Sequence, residues 1–200
     1  MLKKKILKFF LLVSISFCFL SNSFAIEPYS FVQKTVDAAS EALNKRISKE
    51  EKIEKLKIIA ENSVDIKGIG YYSLGSHRKT ITKKKKEEYF IIFKQYFLKS
   101  FSSRLAQYTD PKILVDSQKK LNEKYTMVSS VLLATAKRPE VKINWRVVTK
   151  NPDNPLIIDV IIEGVSLAKI QREEFNSIIQ NNDNNIDALL KNLEEFVNKN

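Results

Sequence analysis

Residues 159–175 read DVIIEGVSLAKIQREEF. Val160, Ile161 and Ile162 are consecutive β-formers, and they run into Gly164 and Ser166 before Leu167 and Ile170 take up helical spacing. The segment Gly164-Val165-Ser166-Leu167-Ala168 is one methyl short of the G-x-S-x-G elbow that carries the nucleophile of α/β-hydrolases. Ser166 is therefore either a nucleophile on top of a parallel sheet or the cap of a helix that follows a strand. The two readings demand different folds, so the flanking sequence decides between them.

Upstream, the pattern is one of short strands. Ile113, Val115 and Ser117 alternate with Leu114, Asp116 and Gln118, and KYTMVSSVLLAT (residues 124–135) follows as a second strand. Val141, Ile143, Trp145 and Val147 alternate cleanly with Lys142, Asn144 and Arg146. The turn cluster KNPDNP (residues 150–155) then leads into a strand over residues 156–163. Four consecutive strands with short links predict an antiparallel sheet with one face available for helices. The parallel sheet of a hydrolase elbow is missing.

Helices are predicted on both sides of these strands. Pro28 suits a helix start, with Val32, Val36, Ala39 and Leu43 at helical spacing. Ser48-Lys49-Glu50-Glu51 is a capping box for a second helix, and Asp65 caps a third that ends at Leu74-Gly75. From Lys83 to Tyr108, Phe90, Phe93, Phe97, Phe101, Leu105 and Tyr108 form one continuous face, widened by Tyr89, Ile92 and Tyr96. This face is either plain core or the wall of a cavity. After residue 166, Leu167, Ile170, Phe175, Ile178 and Ile179 mark one helix. Asn181 to Asn185 break it, and Ile186, Leu189, Leu190, Leu193, Phe196 and Val197 mark another. The expected fold is α+β, with helices packed on one antiparallel sheet of about four strands.

The first 25 residues read as a cleaved export signal, leaving residues 26–200 as a single domain. Lys3, Lys4, Lys5 and Lys8 precede the apolar run Phe9–Leu20, and Ser23 and Ala25 stand where a signal peptidase reads small residues. Twelve apolar residues are too few for a bilayer that needs about 20. Removing the segment takes four lysines, no acid and the only cysteine, leaving a formal charge of +7 and no disulfide. His77 is the only histidine, so no zinc pattern is available and no metal or cofactor is expected. Lys83-Lys84-Lys85-Lys86 is a solvated helix start or a contact for anionic lipid or an acidic partner. No nucleic-acid recognition motif is present, and an exported chain rarely meets such a target.

No histidine follows Ser166, although an elbow serine in that fold takes its base from later in the chain. His77 lies upstream in a basic stretch beside Arg78 and Lys79. Gly68, Gly70, Gly75 and Gly164 make neither a P-loop nor a dinucleotide fingerprint. Ser166 is read as an N-cap, worth about 1 kcal/mol, and no enzymatic activity is expected.

DVIIEGVSLAKIQREEFNSII resembles the signature of the MlaC, or toluene-tolerance, family of periplasmic phospholipid-binding proteins. In that family an aspartate begins a strand, the strand runs into Glu-Gly-Val-Ser-Leu, and an Arg and a Phe follow on a helix. Asp159, Glu163, Gly164, Val165, Ser166, Leu167, Arg172 and Phe175 match. Leu74, Gly75, Arg78, Phe90 and Phe93 correspond to the family's Leu-Gly segment and its Phe-x-x-Phe helix. The chain departs from the pattern at His77, where a Trp is usual, at Lys169-Ile170, where Asn-Tyr is common, and at Leu156-Ile157-Ile158, which lack the frequent Trp and Tyr.

The resemblance implies a periplasmic carrier, expected as a monomer, that shuttles phospholipid between an outer-membrane lipoprotein complex and an inner-membrane ABC transporter complex with its membrane-anchored lipid-binding subunit. Such a system maintains outer-membrane lipid asymmetry. A carrier of the same fold for a hopanoid-type lipid, and a secreted hydrolase, are the alternatives. Exposing two chains of some sixteen carbons to water costs on the order of 20 kcal/mol, at about 0.8 kcal/mol per CH₂, so the fold is expected to enclose an apolar lipid cavity. Its expected lining is Tyr72, Leu74, Phe90, Phe93, Phe97 and Phe101, set against Ile143, Trp145, Val147, Val160 and Ile162 of the sheet. Arg78, Lys79 and Arg172 are expected to steer the head group or a partner. With the head group left in water, low head-group selectivity is expected.

Overall fold

Capping residues set the first helices where the spacing predicts them. The computed structural model describes residues 26–136 and 138–199; the export segment expected over residues 1–25 lies outside them. Helix α1 spans Pro28–Asn44, α2 Lys49–Ser63 and α3 Ile66–Ser73. At α2 the Ser48 hydroxyl accepts from the Glu51 amide at 3.1 Å, and the Glu51 carboxylate accepts from the Ser48 amide at 2.9 Å. The Asp65 carboxylate accepts from the Gly68 amide at 2.8 Å and opens α3.

Helix α4 runs Lys83–Leu105, so Tyr108 lies three residues beyond its end rather than on its face. Thr82 caps it by accepting from the Lys85 amide. Four lysines at a helix N-terminus oppose the macrodipole. Two of them are answered: Lys83 stands 3.9 Å from Glu87, and Lys85 pairs with Glu88 at 2.9 Å and with Asp187 at 2.7 Å, tying α4 to the last helix.

Strands β1 (Ile113–Asn122), β2 (Tyr125–Leu132), β3 (Val141–Val148) and β4 (Leu156–Ile162) form an antiparallel meander in sequence order. A fifth strand, β5 (Val165–Ser166), makes the sheet five-stranded rather than four-stranded. Glu163 and Gly164 link β4 to β5, and both have positive φ (49° and 82°), as a type I′ hairpin turn requires. A Cβ at Gly164 would meet no atom within 4 Å, so the backbone conformation alone asks for glycine there. Helices α5 (Leu167–Gln180) and α6 (Ile186–Asn198) complete the chain.

Register matters most in β4. Arg146 pairs with Asp159 but Val147 pairs with Ile157, so Ile158 is an extra residue, a β-bulge. The bulge lets Ile157 and Val160, three positions apart, share a face with Val147 and Trp145, while Asp159 pairs with Arg146.

Two cores hold these layers. One lies between α1 and the sheet and contains Val32, Val36, Val115, Val128, Val147 and Ile157. The other lies among α3, α4, α5 and α6, where Tyr89, Phe93, Phe175, Ile179, Leu189 and Leu193 are almost fully buried. Phe93 is its centre: its ring stacks on Tyr89 and meets Phe175 edge-on, with centroids 5.4 and 6.1 Å away. Helices α1, α3 and α5 lie against the sheet, whereas α4 packs chiefly on α2, α3 and α6.

Tyr89 donates from its hydroxyl to the Gly70 carbonyl at 3.1 Å, and burial raises its phenol well above the ordinary tyrosine range. Unfolded, the same phenol loses its proton near pH 10. Above that pH the unfolded chain binds fewer protons than the folded one, so stability falls as pH rises. Urea midpoints are expected to drop between pH 9.5 and 11, and Tyr89→Phe is expected to flatten that drop.

Candidate functional site

Ser166 and Asp159 shape the junction from which the site is built. The Ser166 hydroxyl donates to Asp159 Oδ2 at 2.7 Å and accepts from the Lys169 amide at 3.1 Å, capping α5. Asp159 Oδ1 accepts from the Ala168 amide at 3.1 Å, and Arg146 stands 3.4 Å from Oδ2. The aspartate is 3% exposed, so its charge is held by the helix start, the hydroxyl and the guanidinium together. Strand, hairpin and helix are thereby locked at a fixed angle. Ser166→Ala removes both the cap and the donor to Asp159, and is expected to cost about 2 kcal/mol in urea unfolding.

Helices α4 and α5 meet over β4 around an apolar cavity of about 220 Å³. Phe97 and Phe101 come from α4, Ile157 and Val160 from β4, and Leu167 and Ile170 from α5. The Phe97 and Phe101 rings stack 5.7 Å apart and only 7° from parallel, giving one flat aromatic wall. Ile157 is buried while Leu167 and Ile170 are 44% and 38% exposed, so the space opens outward beside α5. Its polar groups are Ser100 and Arg104 of α4 and Gln171 and Glu174 of α5, together with Asp159. The Tyr96 hydroxyl donates to Gln171 Oε1 at 3.2 Å and joins the two helices. Burial is the main cause that raises the Tyr96 phenol.

Two further spaces adjoin this cavity. An open groove of about 780 Å³ lies among α2, α3, α4 and the start of β4, and Val64 lines both it and the cavity. A third space of about 250 Å³ shares Ile69, Asp159 and Ala168 with the cavity. Val64 and Ile69, on either side of the α2–α3 junction, are thus the partitions.

The residues expected at the lining are distributed over these spaces. Phe97, Phe101 and Val160 come together in the cavity. Phe90 and Phe93 border the groove, and Tyr72 borders the third space. Leu74 is 1% exposed in the helical core. Ile143, Trp145 and Val147 lie on the face covered by the α1 core, with Trp145 Nε1 donating to the Ser130 hydroxyl at 2.8 Å. Ile162 is half-buried at the end of β4. The aromatic stripe of α4 therefore faces β4 and α5 rather than β3, because β4 and not β3 is the strand beside α3 and α5. Among the proposed steering cations, Arg78 and Lys79 are exposed on the turn after α3. Arg172 lies over the Tyr72 ring at 5.2 Å and against Gly75, whose φ is +55°. None of the three lines the cavity.

Sequence reasoning missed Ser100, Arg104, Gln171 and Glu174. A signal was present: Tyr96, Ser100 and Arg104 repeat every fourth residue, a polar row beside the aromatic one.

The architecture is an α+β fold with an apolar cavity at the strand that carries the Asp159–Ser166 lock. The chain belongs to the MlaC family, whose family model, MlaC protein, matches residues 32–195. Among solved structures it is similar to a phospholipid-binding protein from Ralstonia solanacearum in complex with a phospholipid. That match has a TM-score of 0.71 and 16% sequence identity, and covers 86% of this chain and 97% of the other. At that identity the likeness is one of fold.

Proposed function

We propose that this protein is a phospholipid-binding carrier, not an enzyme, that works in the periplasm of an Mla-type system. It would take lipid from an outer-membrane lipoprotein complex and pass it to the membrane-anchored lipid-binding subunit of an inner-membrane ABC transporter, or the reverse, so maintaining outer-membrane lipid asymmetry. The observation that carries this reading is the cavity between α4, α5 and β4, mostly apolar in its lining and open beside α5, in a chain of this family. The similar Ralstonia protein, solved with a phospholipid, adds support.

Loading requires the cavity to widen. A space of about 220 Å³ is smaller than the roughly 300–1,000 Å³ of ordinary ligand pockets, and two acyl chains need more. Widening is cheap along one route. Helix α4 rests mainly on other helices rather than on the sheet; Phe175 of α5 packs on Tyr89, Phe93 and Tyr96 and would stay in place, while towards the opening one neutral hydrogen bond, Tyr96 to Gln171, worth about 1 kcal/mol, joins α4 to α5. Displacing Val64 and Ile69 would merge the neighbouring spaces with the cavity. Acyl burial at about 0.8 kcal/mol per CH₂ supplies far more than these contacts cost.

The test is transfer of a labelled phospholipid between two vesicle populations held apart by a porous membrane. A transfer rate that rises in proportion to protein concentration is expected. Transfer no faster than without protein would overturn the reading.

A further inference from the structure

The space of about 250 Å³ behind Asp159 is a wedge between α3 and the sheet face turned away from α1. Asp65, Gly68, Ile69 and Tyr72 recur at helical spacing and give α3 one face towards it. Across the wedge, Tyr125 pairs with Val148 and Met127 with Arg146, so Tyr125 and Arg146 are diagonal neighbours on adjacent strands. Val148 and the bulged Ile158 supply an apolar wall. Gly68 keeps the space clear: a Cβ there would collide with the Asp65 carboxylate, so α3 presents bare backbone at that point. Ile69, Asp159 and Ala168 divide the wedge from the lipid cavity, and Tyr72, 39% exposed, stands at its opening to water.

The carboxylates of the wedge are engaged by the fold, whereas its donors are free. Asp159 accepts from the Ser166 hydroxyl and the Ala168 amide, and Asp65 accepts from the Gly68 amide. Arg146 reaches Asp159 through one nitrogen, at 3.4 Å, and makes no other ion pair or hydrogen bond among the described residues. The Tyr72 and Tyr125 hydroxyls have no partner among the described residues either, and the Tyr72 ring is held in place under Arg172. A guanidinium and two phenols around one space complement a planar oxyanion, with the guanidinium fork matching a carboxylate. Two aspartates in the wall repel a second negative charge, which disfavours a phosphate dianion. The space is below the roughly 300–1,000 Å³ of ordinary ligand pockets, so its ligand is small. We infer that the wedge is a second binding site, for a small organic monocarboxylate. Arg146, Tyr72 and Tyr125 hold the carboxylate, and a short alkyl end lies on Val148 and Ile158. This site is separate from the lipid cavity and does not rest on the carrier reading.

The experiment titrates the ¹⁵N-labelled protein with butyrate at about pH 7, where the carboxylate is ionised, and follows amide shifts by NMR. Saturable shifts are expected at the amides of Gly68, Tyr125 and Arg146. Butyramide, the uncharged isostere, and inorganic phosphate are each expected to bind roughly tenfold more weakly. Arg146→Gln is expected to weaken butyrate roughly tenfold. Tyr125→Phe, which keeps the ring and removes only the hydroxyl, is expected to weaken it several-fold. Lys83→Gln, on an exposed lysine at the start of α4, is expected to bind as the wild type does. Thermal melting of each variant shows that it is folded. No saturable shift with butyrate would overturn the inference, as would butyramide or phosphate binding as tightly as butyrate. Shifts centred on Phe97 and Ile170 would overturn it too, because they place the ligand in the lipid cavity. So would Arg146→Gln and Tyr125→Phe proteins that both bind as the wild type does. Each of these results leaves the carrier reading intact.

Discussion

Replacing Phe97 with aspartate is expected to reduce the phospholipid recovered with the protein at least tenfold while leaving the protein folded. Phe97 is half-buried and lines the cavity opposite β4, so its ring is a surface that acyl chains would touch. In the empty protein the new carboxylate can be hydrated through the opening beside α5. With a chain in place it would be stripped of water and unpaired, at a cost of several kcal/mol. A loss of 1.4 kcal/mol already means a factor of ten in affinity. Phe97→Ala, which leaves the wall apolar, is expected to have a smaller effect. The same aspartate at Phe93 is a different experiment. Phe93 is 1% exposed, stacked on Tyr89, and so close to α3 that a Cβ on Gly70 would come within 2.8 Å of its ring. Phe93→Asp is therefore expected to unfold the chain, and detergent-free extraction together with circular dichroism separates the two outcomes.

The largest stability loss from a single polar side chain is expected at Asp159. Asp159→Ala leaves the Ser166 hydroxyl and the Ala168 amide without their acceptor and removes the partner of Arg146. Arg146 is 40% exposed and can turn to water, so the cost comes mainly from the buried groups at the helix start. The expected loss is about 3 kcal/mol, a large share of the roughly 5–15 kcal/mol that holds a domain together. It should appear as a lower urea midpoint with an unchanged slope. Asp159→Asn keeps one acceptor and is expected to fall between alanine and the wild type.

The contacts of Asp159 also explain why the stretch from Asp159 to Phe175 is so legible. Its residues serve local rules that show in order along the chain: a strand, a turn that wants glycine, a serine that caps, then a helix. The capping box at Ser48 and the cap at Asp65 were readable for the same reason, as was the alternation of β3. Strand β5 escaped notice because two residues carry no periodicity. The end of α4 was placed three residues late because Tyr108 kept the spacing after the helix had stopped.

The cavity was harder to read, for a tertiary reason. Phe90, Phe93, Phe97 and Phe101 share one stripe, yet the stripe divides between groove, core and cavity according to which neighbour each ring meets. The bulge at Ile158, invisible in the residue pattern, brings Ile157 and Val160 onto one face. Arg172 stands out in the sequence because it is charged and follows the motif. In the fold its guanidinium also covers Tyr72 and Gly75, a contact that depends on how α3 meets α5.

Native mass spectrometry of the protein, expressed as the full chain and purified without detergent, tests the central claim most directly when paired with lipid extraction. A mass increment matching one diacyl phospholipid in near-stoichiometric amount is the predicted result. A protein that arrives empty and stays empty after incubation with phospholipid vesicles, or one that carries a hopanoid-type lipid in place of phospholipid, would contradict it.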